Sequence, residues 1–499
     1  MRFHRPLPSV LPLLSLFSLT TCLASTKILR LRQVLLIHRH GDRTPITPLV
    51  DEDYWRSTLP EPHVLRGIAK GTALIREADH SPNEHGAAGR GPFGQLTMVG
   101  LLQMVSLGER LREELGHMND NDDETQIRID QAPLQQHYRF ANNGKLFSPD
   151  KPLTPNRVKV MSTDFPRTIQ SVQALLTGLF PDLSMHNDNS LPIKIDVRNT
   201  NSFLIPDPQP RQSPLQPVLE THLSNRPHLQ KREEELRQLS RRISQELRSH
   251  LGDGAHGVSF GIGEEKQDGT AHVQHENEPK PLAWTQMSEI LTCLHSRSIL
   301  PPTLSSQDVH AVSSHVAWRW FENLRHPILA KTAMWKFANN LLESMERKIQ
   351  VECKCCDCAN DDDDAQEGEC IDEPWLRIYS AHDSTLIGLM CLLQLERPTE
   401  WPEYGSYLKI ELIREEDEGE DLLAVASTEQ RKAKYWVRFS LNGQILKSTW
   451  CCDENNEPLS MVRLNDLEEM IHLEHELLTG EEEGSRSMFC WKNGLLTKH

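Results

Sequence analysis

A short apolar run that leads into two arginines around a histidine constrains the fold of this chain more than any other feature. Residues 34–37 are all aliphatic, and the motif Arg39-His40-Gly41-Asp42-Arg43-Thr44-Pro45 begins directly beyond His38. A continuous apolar run of this length is typical of a strand buried on both faces of a parallel sheet. The motif then falls at the carboxyl end of that strand, where α/β sheets bind their ligands.

The residue types in this motif favour phosphoryl transfer. An arginine side chain presents a planar fork of donors that matches phosphate oxygens, and Arg39 and Arg43 lie on either side of His40. An imidazole in that position can attack phosphorus as a nucleophile. The alternative, that both arginines form surface ion pairs, is disfavoured because they bracket a histidine directly after a strand. Asp42 is expected to shape the loop.

Two further polar segments follow candidate strands. Residues 158–161 lead into the segment Ser162-Thr163-Asp164-Phe165-Pro166-Arg167-Thr168, which opens a helix. Residues 375–380 lead into Ala381-His382-Asp383-Ser384-Thr385, which opens another helix. The second of these units repeats the order of strand, polar loop and helix found near the start of the chain. The sheet is therefore expected to be assembled from both ends of the sequence.

The rest of the chain divides by its periodicity. Residues 96–115 carry apolar side chains at helical spacing, with Thr97 as a candidate N-cap. From about residue 181 to residue 371 the pattern changes to helical segments separated by polar stretches. We predict helices over residues 232–251 and 284–295 and a helical region over residues 312–349, with flexible acidic or glycine-rich loops between some of them.

Net charge limits the classes of partner. The chain has 54 basic and 71 acidic residues, a formal charge of −17. Binding to nucleic acid or to an anionic membrane rewards a basic surface, so neither is expected. The expected partner is a small phosphomonoester, which requires a local positive pocket in an otherwise negative protein.

The first 25 residues have the pattern of a secretory signal peptide. Arg2, His4 and Arg5 precede an apolar stretch over residues 11–19, and small residues follow. We expect the protein in the secretory pathway, either secreted or in a lysosome-like, vacuole-like, ER or Golgi lumen. No later segment has the pattern of a membrane span, and the final compartment stays open.

Cysteine usage fits an oxidising compartment. Removal of the signal would take Cys22 and leave ten of the 11 cysteines, an even number compatible with disulfides. The cluster Cys353-Lys354-Cys355-Cys356-Asp357-Cys358 has three interpretations: a metal cluster, a redox centre, or a loop tied by a disulfide to Cys370. The disulfide-tied loop is favoured because an acidic stretch follows and no histidine is near. The pairing itself stays open.

The three motifs together resemble the histidine acid phosphatases of the phosphoglycerate-mutase-like superfamily. The stretch from Arg39 to Pro45 is similar to the amino-terminal signature of that family, Ser162 to Thr168 to its middle arginine motif, and His382-Asp383 to its carboxyl-terminal pair. The resemblance implies an α/β fold: a central, mostly parallel sheet flanked by helices, with a large, mainly helical inserted cap subdomain. We place the phosphatase core at residues 26–180 and 372–499 and the cap at residues 181–371.

The resemblance also implies a reaction and a set of roles. His40 would attack phosphorus to give a phosphohistidine, and Asp383 would protonate the leaving alcohol and then activate water. The groups that would hold the phosphate oxygens are Arg39, Arg43, Arg167 and His382. Neither a cofactor nor a metal is implied, because arginines supply the positive charge.

Alternatives remain at the level of function and substrate. A secreted binding protein that keeps the scaffold without turnover is the main one, and a mutase is another. Phytate, lysophosphatidate and sugar phosphates are all open as substrates, as is broad specificity. The oligomeric state is also left open.

Overall fold

The structure of the protein is a computed structural model. It describes residues 26–76, 91–116, 137–147, 153–181, 192–198, 225–253, 255, 281–325, 327–357, 373–398, 401–417, 428–452, 457–479, 489–492 and 495–498. The predicted signal peptide, Cys358, Cys370 and most of the predicted flexible loops lie outside these residues.

A ten-stranded mixed sheet forms the centre of the described structure. Its strands are β1 (Thr26–Arg39), β2 (Thr72–Arg76), β3 (His137–Phe140), β4 (Val158–Thr163), β5 (Ile193–Arg198), β6 (Leu376–Ala381), β7 (Tyr407–Asp417), β8 (Tyr435–Leu441), β9 (Gln444–Leu446) and β12 (Met461–Arg463). The spatial order is β12-β8-β7-β1-β6-β4-β5-β2, with β3 beside β1 and β9 beside β8. The pairs β1–β6, β6–β4, β4–β5 and β5–β2 are parallel. Strands β7, β8, β9 and β12 pair antiparallel with their neighbours. The predicted mostly parallel α/β sheet is confirmed, with an antiparallel extension on one side.

Helices cover both faces of this sheet. They are α1 (Glu52–Ser57), α2 (Pro62–Ala69), α3 (Met98–Leu115), α4 (Pro166–Leu179), α5 (Pro227–Arg248), α6 (Trp284–Ser296), α7 (Ser306–Leu324), α8 (Pro327–Asp357), α9 (Asp383–Leu392), α10 (Thr428–Lys432) and α11 (Leu464–Thr479). Two small hairpin-like sheets pair β10 (Ser448–Cys452) with β11 (Pro458–Leu459) and β13 (Phe489–Lys492) with β14 (Leu495–Lys498).

Strand β1 shows why the apolar run is continuous. Side chains alternate between the two faces of a strand, and Val34 and Leu36 pack into the core beside α3 and α4, whereas Leu35 and Ile37 pack into the core beside α6 to α9. All four side chains are buried. A strand that is buried on both faces needs an apolar residue at every position.

The three predicted motifs all leave the sheet at the carboxyl ends of its strands. Strand β6 pairs in parallel with β1 and also with β4, so the register aligns Arg39 with Ala381 and Ser380 with Ser162. The segments that follow β1, β6 and β4 therefore emerge side by side at the carboxyl ends of adjacent strands. This is the position at which open α/β sheets bind ligands.

Local sequence signals determine where the helices beside these strand ends begin. Thr97 caps α3 by accepting a hydrogen bond from the Gly100 N–H at 3.1 Å, and Pro166 occupies the first turn of α4. The tight turn Asn442-Gly443, where both residues have positive φ, joins β8 to β9. The predicted N-cap at Thr97 and the predicted helix start at the Pro166 segment are confirmed.

Two sequence expectations differ from the structure. Residues Ile193–Arg198 of the predicted cap form β5 of the main sheet, because they pair with β2 and β4. The cluster that begins at Cys353 was expected in a loop, but α8 continues to Asp357, since no glycine or proline interrupts that segment. The division of the chain into core and cap stays a prediction.

Cys293 and Cys391 are buried free cysteines. Within the residues that the structure describes, every helix is too short or too polar to cross a bilayer.

Candidate active site

His40 lies at the carboxyl ends of β1, β6 and β4. It is 3% exposed, and its Nδ1 lies 2.8 Å from the carbonyl oxygen of Gly41. A carbonyl oxygen only accepts, so Nδ1 carries the hydrogen and Nε2 keeps a lone pair. The ring centroid of His382 lies 5.6 Å away.

Three buried arginines come from two of the motifs. Arg39, Arg43 and Arg167 are 5%, 6% and 3% exposed. The Nε atoms of Arg39 and Arg43 have no hydrogen-bond partner within the described part of the chain. Buried donors are normally paired, so these N–H groups are suited to an anionic ligand.

His382 and Asp383 begin helix α9. His382 is its N-cap, and His382 Nε2 lies 3.2 Å from Thr163 Oγ1. The Asp383 carboxylate is 2.8 Å from Arg39 Nη2 through Oδ2, and it also accepts the Trp401 indole N–H at 2.9 Å. The structure thus brings all six sequence-predicted site residues to one place.

Charge and burial determine the protonation of the histidines. Burial lowers the pKa of His40 well below its usual value, and the charges of Arg167 and Arg39 lower it further. Burial and the charge of Arg167 likewise lower the pKa of His382. A protonated ring is disfavoured where three guanidiniums are near. Both imidazoles are therefore neutral at mildly acidic pH, and His40 keeps the lone pair that a nucleophile needs.

Asp383 has opposing influences on its ionisation. Burial acts to raise the pKa of Asp383, but the Arg39 guanidinium and the Trp401 N–H outweigh it and hold that pKa below its ordinary value. Asp383 is consequently a carboxylate in this state of the site. It must gain its proton at a later stage if it is to act as an acid.

The sequence motifs missed one buried carboxylate at the site. Glu289, from α6, is 8% exposed and its Oε1 lies 3.0 Å from Arg43 Nη1. The same oxygen accepts the backbone N–H groups of Ile46 and Thr47. Burial acts to lower the pKa of Arg43, but Tyr404 and Glu289 together raise it, so Arg43 stays charged. Glu289 therefore connects α6 to the loop that carries His40.

Three more residues were also missed. Tyr404 lies beneath Arg39, whose guanidinium carbon is 4.1 Å from the ring centroid, a cation–π contact. Arg297 donates to Asp42 at 2.5 Å, and Trp401 donates to Asp383. No motif identifies these residues. The only signal would have been the aromatic pair in residues 401–404, directly before β7.

The site opens into a cavity of about 630 Å³. The motif residues line part of this cavity, and residues of α6, α7 and the segment 401–404 line the rest together with a few others. This volume suits a small organic ligand. Among the described residues, no group of three or more His, Cys, Asp or Glu side chains has the geometry of a metal site.

Comparison with known proteins places this chain in a family. A sequence profile of the histidine phosphatase superfamily (branch 2) matches residues 30–442, which is most of the chain. The protein belongs to this superfamily. Its relatives by sequence include proteins named as acid phosphatases.

Individual relatives are distant. Counting factor 60 of Dictyostelium discoideum is 23% identical over 437 residues, which span 86% of this chain and 84% of that protein. Lysophosphatidic acid phosphatase type 6 of Bos taurus is 30% identical over 163 residues, which span 31% of this chain and 32% of that protein. Among solved structures, the apo phytase of Hafnia alvei is 13% identical with a TM-score of 0.48, covering 89% of this chain and 97% of the phytase chain.

Proposed function

We propose that this protein hydrolyses phosphate monoesters through a phosphohistidine formed on His40. The observation that carries the proposal is a buried imidazole, with Nδ1 against the Gly41 carbonyl oxygen and Nε2 free, beside three buried arginines. Covalent catalysis divides one difficult displacement into two easier steps. Arginines that are already in place stabilise charge on the transferring group without reorganisation.

In the first step, a bond forms between His40 Nε2 and phosphorus, and the bond from phosphorus to the leaving oxygen breaks. Arg39, Arg43 and Arg167 bind the non-bridging oxygens, and His382 adds a further donor. Asp383 transfers a proton to the leaving alcohol. The Nε–H groups of Arg39 and Arg43 are suited to this task because the described residues offer them no acceptor.

In the second step, water attacks phosphorus and the bond to Nε2 breaks. Asp383, now a carboxylate, accepts a proton from the water, which regenerates the protonated acid of the first step, and that proton returns to solvent when phosphate leaves. No charged intermediate accumulates on the leaving group in either step. The same residue can act in both directions because the two steps are related by microscopic reversibility.

Substrate binding raises the pKa of Asp383, so that the carboxylate takes up from solvent the proton that it lacks in the resting site. A phosphate dianion beside Arg39 compensates the positive charge that favours the Asp383 carboxylate. A nearby negative charge raises the pKa of a carboxyl group. Turnover is therefore expected to favour acidic pH, and residence in an acidic lumen of the secretory pathway fits this requirement.

The test is hydrolysis of p-nitrophenyl phosphate by the full chain and by His40→Ala. We expect wild-type turnover, and a fall in kcat on the order of a thousandfold or more in the variant, because removing the nucleophile removes both steps. Radiolabelled phosphate should be trapped on wild-type protein in an acid-labile, alkali-stable bond.

The control is His63→Ala, which removes an exposed histidine on α2. It should leave both turnover and trapping unchanged. Equal turnover by His40→Ala and wild type would refute the proposal, and a folded wild-type protein without turnover would favour a binding role on the same scaffold.

A further inference from the structure

We infer that the substrate carries a single phosphate on an uncharged leaving alcohol that has both hydroxyl groups and an apolar part. This inference rests on the proposed function and specifies its substrate class. It is drawn from the cavity walls beyond the six residues assigned to the reacting phosphate.

The cations of the cavity are already engaged. Among the described residues that line it, the only lysines or arginines are Arg39, Arg43, Arg167 and Arg297. The first three belong to the site proposed for the reacting phosphate. Arg297 donates to the Asp42 carboxylate at 2.5 Å and to the Arg43 carbonyl oxygen at 3.3 Å. His295 and His310 also line the cavity, and their Nε2 atoms lie 3.0 Å from Ser306 Oγ and 3.4 Å from Ser314 Oγ. Outside the site proposed for the reacting phosphate, a second phosphate would therefore meet, among the described residues of these walls, no guanidinium, ammonium or imidazole group that lacks a partner.

The acidic groups of the cavity act against a polyanion. Four carboxylates line the same walls as the four arginines, and three of them pair with Arg39, Arg43 and Arg297. The fourth is the exposed Glu403. A like charge on the wall disfavours a second phosphate, because repulsion between two anions raises the free energy of binding.

Hydroxyl groups dominate the rest of the cavity wall. Successive turns of α6 present them at helical spacing, at Thr285, Ser288, Thr292 and Ser296, and α7 adds the adjacent Ser313 and Ser314. A hydroxyl both donates and accepts, so this wall is suited to the hydroxyl or ester oxygens of a neutral ligand. Such groups bind neutral partners without the cost of stripping water from a charge.

An apolar strip accompanies the hydroxyl groups. Val99, which is 59% exposed at the start of α3, lines the cavity together with Val309, Val316 and Trp320. Trp320 is 8% exposed, and its Nε1 has no hydrogen-bond partner among the described residues. An apolar surface with one buried indole donor suits an aliphatic group that carries an oxygen acceptor.

The first arm of the test compares kcat/KM for three substrates at mildly acidic pH. They are an acyl-glycerol phosphate with one free hydroxyl, glycerol 3-phosphate, and myo-inositol hexakisphosphate. We expect the acyl-glycerol phosphate to exceed the hexakisphosphate by about tenfold or more, a difference of about 1.4 kcal/mol. Glycerol 3-phosphate should fall between them, because it has the hydroxyls but lacks the apolar part.

The second arm uses Glu403→Lys. This change should raise the ratio of kcat/KM for the hexakisphosphate to that for p-nitrophenyl phosphate by about threefold to tenfold, because it replaces repulsion with attraction at an exposed site. Glu235→Lys, on the exposed face of α5, is the matched control and should leave the ratio unchanged.

The outcomes separate the inference from the proposed function. A wild-type preference for the hexakisphosphate, or an unchanged ratio in Glu403→Lys, would overturn the inference while hydrolysis of p-nitrophenyl phosphate continued. Loss of all hydrolysis, including that of p-nitrophenyl phosphate, would instead refute the proposed function.

Discussion

The Asp383 carboxylate interacts with three donors in the resting site. Its Oδ1 accepts the Ser384 N–H at 2.8 Å, and its Oδ2 accepts from both Arg39 and Trp401. Each of these bonds stabilises the ionised carboxyl group. In the proposed reaction, the balance among them therefore sets the pH at which Asp383 loses its ability to protonate a leaving group.

Trp401→Phe tests this balance. The change removes one donor to the Asp383 carboxylate, so the pKa of Asp383 should rise and the falling limb of kcat/KM against pH should move to higher pH. The ratio of kcat/KM in the variant to kcat/KM in wild type should be about tenfold larger at pH values above the falling limb than at pH values below it. A factor of this size is the effect of losing one hydrogen bond to a charged group. An alkyl phosphate is the substrate of choice, because its leaving group needs the proton.

The control for this prediction is Trp436→Phe. That change removes another indole N–H that binds a carboxylate, Glu415, at 2.8 Å, far from the site in β8. The pH profile should then match wild type. A limb in Trp401→Phe that stays at the wild-type pH, or moves to lower pH, would show that Trp401 does not tune Asp383.

The six motif residues were accessible from sequence, whereas Trp401 was not. Arg39, His40 and Arg43 lie within a single short motif at the end of β1, and their types alone indicate phosphate chemistry. Trp401 lies 18 positions beyond Asp383, outside any periodic or polar pattern. Its contact with Asp383 depends on how the chain returns after α9, and local sequence does not encode that return.

Helices α3 and α4 approach each other through two glycines. A Cβ added at Gly108 would lie 2.0 Å from the Leu175 carbonyl oxygen, and one added at Gly178 would lie 2.0 Å from the Val105 carbonyl oxygen. Only glycine permits backbones to come this close. Because Arg167 lies in the first turn of α4, this contact also positions part of the candidate site.

Gly108→Ala should destabilise the protein. The added methyl group meets backbone atoms, which cannot rotate away, so we expect the free energy of unfolding to fall by about 2 to 3 kcal/mol. Urea unfolding followed by circular dichroism measures the change. The fall in stability should be accompanied by weaker phosphate binding, since α4 must shift.

Gly67→Ala is the matched control within a helix. It lies in α2, and no heavy atom lies within 4 Å of an added Cβ. There alanine should raise the free energy of unfolding by about 0.5 to 1 kcal/mol, through helix propensity alone. If both variants changed stability by the same amount and sign, close helix packing at Gly108 would not explain the glycine.

At the scale of elements, local sequence signals predicted where helices and strands lie but not how far each strand extends. The predicted helix beginning near Thr97 and the helix opened by Pro166 are present, because caps and periodicity are written in adjacent residues. Strand β1 is longer than the apolar run, since Thr26–Leu29 gain partners in β3. Those partners are more than 100 positions away, and so the run alone could not show them.

Across the whole molecule, the sheet and the middle of the chain meet at Arg43. The sheet places Arg43 beside His40 from the amino-terminal part of the sequence, and α6 delivers Glu289 to it across 246 positions. Nothing in the helical pattern of α6 distinguishes Glu289 from an exposed glutamate. The sequence therefore predicted the cradle but not the carboxylate that holds one of its arginines.

Glu289→Gln tests whether this contact joins the two parts of the molecule. Glutamine keeps the shape and an acceptor oxygen but leaves the buried Arg43 charge without the negative charge that lies 3.0 Å away, so the free energy of unfolding should fall by about 3 kcal/mol. Inorganic phosphate supplies a replacement anion and should therefore stabilise the variant more than it stabilises wild type, as measured by urea unfolding with and without phosphate. Glu235→Gln, which removes an exposed carboxylate 3.9 Å from Lys231, should change stability by less than about 0.5 kcal/mol and should not alter the phosphate response. An equal phosphate response in Glu289→Gln and wild type would mean that Arg43 does not share its charge between Glu289 and the ligand, and the contact would then be a structural link between α6 and the loop without a part in binding.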